Sequence, residues 1–210
     1  MTVTVDELTI ADEPAAWAAL GFELEGDAFV VGQVRIRLAG AEAGKGLAGW
    51  SLREAATTEL DGLPTTSSER PPPPERAPHP NGIAVLDHVV AISPALERTV
   101  AALQGAGLDL RRVREEPTPA GAPRQAFFRL GATILEVAQE PPEAIERGGG
   151  PDRPAFFWGL AFAAPDLEAT VAGLGERVSE VRAAVQPGRR IATLRRAAGL
   201  ALPVALITPP

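Results

Sequence analysis

The chain has 210 residues, of which 45% are hydrophobic and 22% are charged, which is enough for one large or two small folded domains. Its formal net charge of −7 gives no general attraction for nucleic acid or an anionic membrane. The absence of cysteine excludes disulfides, thiolate nucleophiles and cysteine-based zinc sites. Because no window is apolar enough to span a bilayer and the N-terminus lacks a signal-type segment, we expect a cytoplasmic protein.

The first 64 residues predict a small strand-rich unit. The stretch "VTVDELTIA" is typical of a strand, and "DEPAAWAALGF" of a short helix with acidic residues in its first turn. Three further strands are predicted by "DAFVVG", "QVRIRLAG" and "LAGWSLREA". The order is therefore strand, helix and three strands.

Residues 65–82, "TTSSERPPPPERAPHPNG", predict a surface connector. Four consecutive prolines cannot continue a helix or lie inside a sheet. We expect His79, between two prolines, to be exposed. We also expect this connector to be the most easily cleaved segment, because it has little apolar area to offset chain ordering.

Residues 83–208 contain an internal repeat, with modules at 83–140 and 155–208 separated by a break rich in proline and glycine. Each module predicts a strand, a helix and three strands, and units repeated in this way usually share one core. The helices carry the same apolar spacing 71 residues apart. We expect these positions to be buried against the sheets: Leu96, Val100, Leu103, Leu167, Val171 and Leu174.

The stretches "LDHVVAISPALERTVAAL" and "AFFRLGATILEVAQEP" place a histidine on the opening strand and a glutamate on the closing strand of one module. In this the chain resembles the vicinal oxygen chelate superfamily, which includes glyoxalase I, extradiol dioxygenases and the bleomycin- and fosfomycin-resistance proteins. The resemblance implies an α+β fold of tandem βαβββ modules whose mixed sheet forms a cup. It covers 83–208 well and 1–57 loosely, so residues 1–64 would be a degenerate N-terminal third module.

The resemblance implies that His88 and Glu136 are ligands of one divalent metal ion in the cup. Imidazole and carboxylate suit zinc, iron, manganese or nickel. On a strand of period two, His88 shares a face with Leu86 and Val90. We therefore expect the imidazole and the carboxylate to lie about 3–5 Å apart, within the reach of one metal ion or one water.

The second module lacks the corresponding ligands, because alignment of the repeats places Gly159 opposite His88 and Val204 opposite Glu136. Two protein ligands are fewer than the three that are usual in catalytic zinc sites. The N-terminal unit offers candidates for a further ligand, which are Asp6, Glu7 and Glu54.

Three functions stay open from these residues. The first is a glyoxalase-like lyase or isomerase of a small oxygenated metabolite, with a metal acting as Lewis acid. The second is a metal-free protein that binds or sequesters a small molecule, with Arg124 or Arg190 pairing with a carboxylate or phosphate in the cup. The third is a structural module of an oligomer. Whether the chain is an enzyme is thus open.

Oligomeric state is predicted from the number of modules. Three modules would leave one without a partner, exposing an apolar face and an open sheet edge. A second copy of the chain could cover both. We therefore predict a homodimer with residues 1–57 in its interface.

Overall fold

A computed structural model describes residues 2–74, 76–118 and 121–210, so Met1, Glu75, Pro119 and Ala120 lie outside the description. Two sheets organise these residues. The N-terminal elements are β1 (Thr4–Ile10), α1 (Pro14–Ala18), β2 (Ala28–Val31), β3 (Val34–Leu38), β4 (Leu47–Arg53) and β5 (Thr65–Ser67). The next are β6 (Val85–Ser93), α2 (Leu96–Gly105), β7 (Asp109–Arg114), β8 (Gln125–Leu130), β9 (Thr133–Gln139) and α3 (Pro142–Arg147). The last are β10 (Phe156–Ala163), α4 (Leu167–Leu174), β11 (Arg182–Ala183), β12 (Arg190–Thr193) and β13 (Val204–Ile207).

The eight-stranded sheet has the strand order β11-β12-β13-β10-β6-β9-β8-β7. In each half the opening strand runs parallel to the closing strand, β6 beside β9 and β10 beside β13. The two opening strands pair antiparallel at the centre. This arrangement confirms the predicted tandem βαβββ modules that share one mixed sheet.

The helices of the two modules cover one face of this sheet. Four of the six predicted core positions are buried: Leu96, Leu103, Leu167 and Leu174. The two valines between them are partly buried and pack against the same apolar cluster. The 71-residue repeat therefore corresponds to two equivalent helix–sheet contacts.

The five-stranded sheet repeats the centre of the larger one. Its order is β2-β3-β1-β4-β5, and its strand directions match those of β8-β9-β6-β10-β13. The N-terminal module is degenerate, because only β2 and β3 follow α1 in it. The predicted third strand, β4, instead pairs antiparallel with β1, as β10 does with β6. Together with β5, β4 forms the second and shorter half of the five-stranded sheet. The N-terminal module therefore has a partner within its own sheet.

Each opening strand carries one extra residue that interrupts the ladder. The bulged residues are Asp6, Ala48, Asp87 and Trp158, at equivalent positions in β1, β4, β6 and β10. A bulge places two successive side chains near one face of a sheet instead of on opposite faces. In this fold it brings an aspartate beside the next residue in both β1 and β6.

The predicted connector is docked against the N-terminal unit. Its first residues, 65–67, form β5, and Pro73 is buried. The expectation of an exposed His79 is wrong, because this side chain is only 9% exposed. Its ring accepts a hydrogen bond from the Glu23 backbone N–H and lies 3.0 Å from the Val30 carbonyl oxygen. Satisfied at both nitrogens, the imidazole can be buried without an unpaired polar atom.

The helix-bearing faces of the two sheets form one apolar cluster. Across it, the rings of Trp17 and Phe162 lie 6.1 Å apart, and those of Trp50 and Phe157 lie 5.0 Å apart. The opposite faces of both sheets are therefore directed away from the shared core. Packing within the chain covers the N-terminal apolar face, which removes the argument for a homodimer. Light scattering tests the homodimer, which stays a prediction.

No helix in the described ranges is both long enough and apolar enough to cross a membrane.

Candidate functional site

The site lies on the face of the eight-stranded sheet that is turned away from the helices, here named the C-terminal face. His88 on β6 and Glu136 on β9 are both on this face, and Glu136 is paired in register with Val90. The expectation that Leu86 shares the face with His88 is wrong. The bulge at Asp87 breaks the alternation, so Leu86 is buried in the core.

The structure brings His88 and Glu136 together, with Nε2 and Oε2 4.0 Å apart. This separation lies within the expected range. It is too long for a direct hydrogen bond and leaves room for one bridging group. Both side chains are mostly buried, at 13% and 16% exposure. Whether they bind a metal is a separate matter and stays a prediction.

Asp87 fixes the orientation of His88. Its Oδ2 lies 2.7 Å from His88 Nδ1, and its Oδ1 accepts a 2.5 Å hydrogen bond from Arg189 Nη2. Burial would raise the pKa of Asp87, but hydrogen bonds from His88 and Arg189, with their charges, hold that pKa below its ordinary value. A carboxylate only accepts hydrogen bonds, so Nδ1 must carry the proton. In the neutral ring, Nε2 then presents its lone pair towards Glu136.

The neighbouring strand β8 supplies further polar groups to the C-terminal face. Gln125 Nε2 donates a hydrogen bond to Glu136 Oε1, which orients that carboxylate. Phe127 is paired in register with Glu136, and the guanidinium of Arg112 lies 5.1 Å from its ring centre. Arg129 follows on the same face of β8 and is exposed. It makes no ion pair with the described residues, so its charge is available to a ligand.

The register corrects the predicted alignment of the two modules. Gly159 is indeed the counterpart of His88, but Val204 occupies the position of Leu135 and is buried in the core. The counterpart of Glu136 is Ala205. Neither Gly159 nor Ala205 has a side chain that can bind a metal, so the second module supplies no ligand.

Among the described residues, the imidazole and carboxylate donors of this face are fewer than a catalytic zinc ion usually has. Asp87 is held by Arg189 and His88, which leaves His88 Nε2, the Glu136 carboxylate and, as a neutral donor, the amide oxygen of Gln125. In the part of the chain that the structure describes, no three His, Cys, Asp or Glu residues are grouped to hold a metal. Catalytic zinc usually has three protein ligands. The candidates from the N-terminal unit belong to the other sheet and its edge: Asp6, Glu7 and Glu54.

The structure does not bring the two predicted substrate-binding arginines to His88. Arg124 forms ion pairs with Glu97 on α2 and with Glu115, while Arg190 pairs with Glu168 on α4. These are equivalent contacts between helix and sheet in the two modules. The partners raise the pKa of Arg124. Both charges are therefore engaged on the helix side.

Sequence reasoning missed Asp87, Gln125, Arg129 and Arg189. The alternation of "QAFFRL" could have identified Gln125 and Arg129, since they share a face with Phe127. No sequence signal indicates the bulge that turns Asp87 towards His88.

His88 and Glu136 do not line either of two cavities found among the described residues. These cavities of about 340 Å³ lie elsewhere, one beside α1 and α4 and one under the prolines at 71–74. Close to the site, two aromatic side chains on β10 are exposed, Phe156 at 40% and Trp158 at 51%. They provide apolar surface beside the polar centre.

No family model matches the chain, and no curated protein matches it. Among solved structures, a methylmalonyl-CoA epimerase from Mycobacterium tuberculosis matches 61% of this chain and 90% of its own, with 18% identity and a TM-score of 0.49. A Streptomyces coelicolor methylmalonyl-CoA epimerase variant in complex with 2-nitronate-propionyl-CoA matches 60% of this chain and 97% of its own, with 20% identity and a TM-score of 0.48.

A third structure, a xylose isomerase-like TIM barrel/4-hydroxyphenylpyruvate dioxygenase fusion protein, matches 99% of this chain with 13% identity and a TM-score of 0.58. This match includes both sheets. The chain has a glyoxalase-like fold. It spans about half of the fusion protein, of which 49% is covered. Identities this low establish the fold and leave the chemistry to the residues of the site.

Proposed function

We propose that the C-terminal face binds a small oxygenated metabolite and that His88 acts on it as a general base without a metal ion. The observation that carries this proposal is the contact of Asp87 with His88 Nδ1, which leaves Nε2 free beside Glu136 at 4.0 Å. An imidazole held by a carboxylate in this way is a recurrent arrangement for proton transfer.

The suited reaction class is proton abstraction from a carbon next to a carbonyl group. His88 Nε2 takes the proton, and the electrons of the C–H bond move to the carbonyl oxygen to give an enolate. Asp87 stabilises the imidazolium that forms, and Glu136 adds a second negative charge near it. Return of the proton to a different position gives an isomerase, and loss of a leaving group gives a lyase. Arg129 can neutralise an anionic substrate group.

Binding without chemistry is the second candidate. It is supported by Phe156 and Trp158, exposed aromatic side chains of the kind that provide contact area for ligands. A divalent metal at His88 and Glu136 remains the third, and its weakness is that the part of the chain described by the structure offers no third His, Cys, Asp or Glu ligand. Metal analysis of the purified protein and of His88→Ala tests this third candidate directly.

The proposal is tested by proton exchange in D₂O. A panel of small α-hydroxy ketones and 2-oxo acids is incubated with the protein, and loss of the α-proton signal is followed by NMR. We expect His88→Ala to slow exchange of an active compound about 10²–10⁴-fold, the usual contribution of a general base. Arg124→Gln, which alters the ion pairs with Glu97 and Glu115 on the helix side, serves as control and keeps the wild-type rate.

The alternatives give different results. Saturable binding with exchange at equal rates in the wild type and His88→Ala would leave binding alone. One metal ion per chain that is lost in His88→Ala would establish the metal site.

A further inference from the structure

The face of the five-stranded sheet turned away from the core, here named the N-terminal face, carries concentrated charge. Five arginines lie on it or beside it: Arg35, Arg37, Arg53, Arg70 and Arg76. They meet three carboxylates: Asp6, Glu7 and Glu25.

Most of these charges are paired with one another. Asp6 is fully buried and accepts hydrogen bonds from Arg53 and from Arg70 Nε at 2.8 Å. Glu7 pairs with Arg37 at 3.1 Å and with Arg70 at 3.0 Å. These contacts account for both carboxylates of β1 without Arg35.

Arg35 is the exception to this pairing of charges. Its Nη1 is buried and has no hydrogen-bond partner among residues 2–74, 76–118 and 121–210. The nearest carboxylate contact of this nitrogen is with Asp6, at 3.9 Å. This nitrogen is closed to solvent on the side of Asp6, but the side chain as a whole is 31% exposed, so its other atoms can meet a ligand. An anion is the partner that a guanidinium group favours.

A cavity of about 340 Å³ adjoins Arg35. Its lining includes the prolines 71–74 and, from β2, Ala28 and Val30. Proline has no N–H to donate, so this segment presents an apolar wall. The rest of the rim carries Arg76, which pairs with Glu25 at 2.6 Å.

The volume exceeds what an inorganic anion needs and falls at the lower end of the range for small-molecule sites. The hydrogen bond from Arg76 lowers the pKa of Glu25, and the charge of Arg35 lowers it further. Two guanidinium groups therefore act on one carboxylate that lines this cavity, and the side chain of one of them, Arg35, is partly exposed.

We propose that this cavity binds a small organic oxyanion, a phosphate monoester or a carboxylate, with its anionic group on Arg35 and its apolar body under the prolines. The N-terminal face would then be a second ligand site, independent of His88. Arg35 binds the charged group, while the proline segment selects for a ring or short apolar chain.

Isothermal titration calorimetry with the full chain tests this proposal, using phenyl phosphate, benzoate and inorganic phosphate as probes. We expect saturable binding of phenyl phosphate or benzoate that is at least tenfold tighter than that of inorganic phosphate. Arg35→Gln should weaken this binding about tenfold or more, the loss expected for a hydrogen bond between charged groups.

Arg37→Gln is the matched control, because it removes one charge from the same face of β3 but alters a side chain already paired with Glu7. It should change affinity less than threefold. Equal weakening by both variants, each folded by circular dichroism, would overturn the proposal in favour of general charge attraction. No binding of any probe to the wild type would also overturn it, and equal binding of inorganic phosphate would overturn the role of the prolines. The preferred probe distinguishes phosphate monoester from carboxylate.

Discussion

The two outer faces differ in chemistry although their strands are arranged alike. At the position of His88 in the eight-stranded sheet, the five-stranded sheet has Glu7, and at the position of Glu136 it has Arg37. Glu7 and Arg37 form an ion pair of 3.1 Å, whereas His88 and Glu136 stand 4.0 Å apart. The central pair of the N-terminal face is therefore in direct contact, whereas the central pair of the C-terminal face leaves room for another group between its two side chains.

The bulged aspartates show the same contrast. Asp6 is fully buried among arginines and serines, while Asp87 holds one histidine and one arginine. Duplication of a backbone feature has thus produced a structural charge cluster on one face and an oriented imidazole on the other. The comparison teaches that topology alone does not identify a site in this fold, because the residues at equivalent positions decide it.

The largest effect is expected from Asp6→Ala. Removing this carboxylate leaves Arg53 buried without its counter-charge, which should lower the free energy of unfolding by about 3–5 kcal/mol. Asp87→Ala should cost less, because Asp87 forms an ion pair with one arginine, whereas Asp6 forms close ion pairs with two. Urea unfolding of both variants measures the difference. Equal losses would contradict the distinction between a structural and an orienting aspartate.

A second prediction tests the shared core that separates the two faces. Leu103 is fully buried between α2 and the eight-stranded sheet, so Leu103→Ala should cost about 2–5 kcal/mol. The exposed neighbour Gln104 provides the control, and its replacement by alanine should change stability by less than about 0.5 kcal/mol. An unchanged urea midpoint for Leu103→Ala would show that the helix does not cover the sheet as described.

The fold of the C-terminal half could be predicted from the sequence. The apolar patterns of its strands and helices are local, and they recur 71 residues apart. The N-terminal half could be predicted only in part. The strands β1 to β4 were identifiable, yet which strand pairs with which is a non-local property. The docking of His79 was equally hidden, since its acceptor and donor partners lie about fifty residues away in the chain.

The candidate site was predictable for His88 and Glu136, which interrupt apolar strands at matching positions. The sequence could not show which arginines point to the C-terminal face: Arg124, Arg189 or Arg190. Successive side chains of a strand point to opposite faces of the sheet, so an error of one residue in the position of a strand exchanges the two faces. Asp87 could not be predicted, since a bulge leaves no clear pattern in the side chains around it.

The third prediction concerns two glycines at equivalent positions of the sheets. A Cβ at Gly159 would lie 2.6 Å from the Pro203 carbonyl oxygen, and one at Gly49 would lie 3.0 Å from that of Pro64. A backbone carbonyl group cannot move aside as the end of a flexible side chain can. Gly159→Ala should therefore lower the free energy of unfolding by about 1–3 kcal/mol, and Gly49→Ala should lower it less. Thermal or urea unfolding compares them. A larger loss at Gly49 would break the equivalence of the two sheets.

The smallest effect is expected from acid, and it bears on both bulged aspartates. Burial would raise the pKa of Asp6, but the hydrogen bond from Ser68 and the charges of Arg53 and Arg70 lower it below the ordinary value of 3.8. Asp87 is lowered in the same direction. A carboxyl group with a lowered pKa stabilises the fold fully above pH 3.8, and this contribution is lost as pH falls towards the folded pKa.

We therefore expect the free energy of unfolding to decrease below about pH 4, by at most about 1.4 kcal/mol per pH unit for each carboxyl group. Asp6→Asn and Asp87→Asn should each make this decrease less steep, because the substituted side chain no longer binds a proton on unfolding. Urea unfolding at pH 5 and pH 3 measures the slopes. If only Asp6→Asn changes the slope, Asp87 is held less tightly than its contacts with His88 and Arg189 indicate. The orientation of the imidazole would then have to come from packing rather than from that carboxylate.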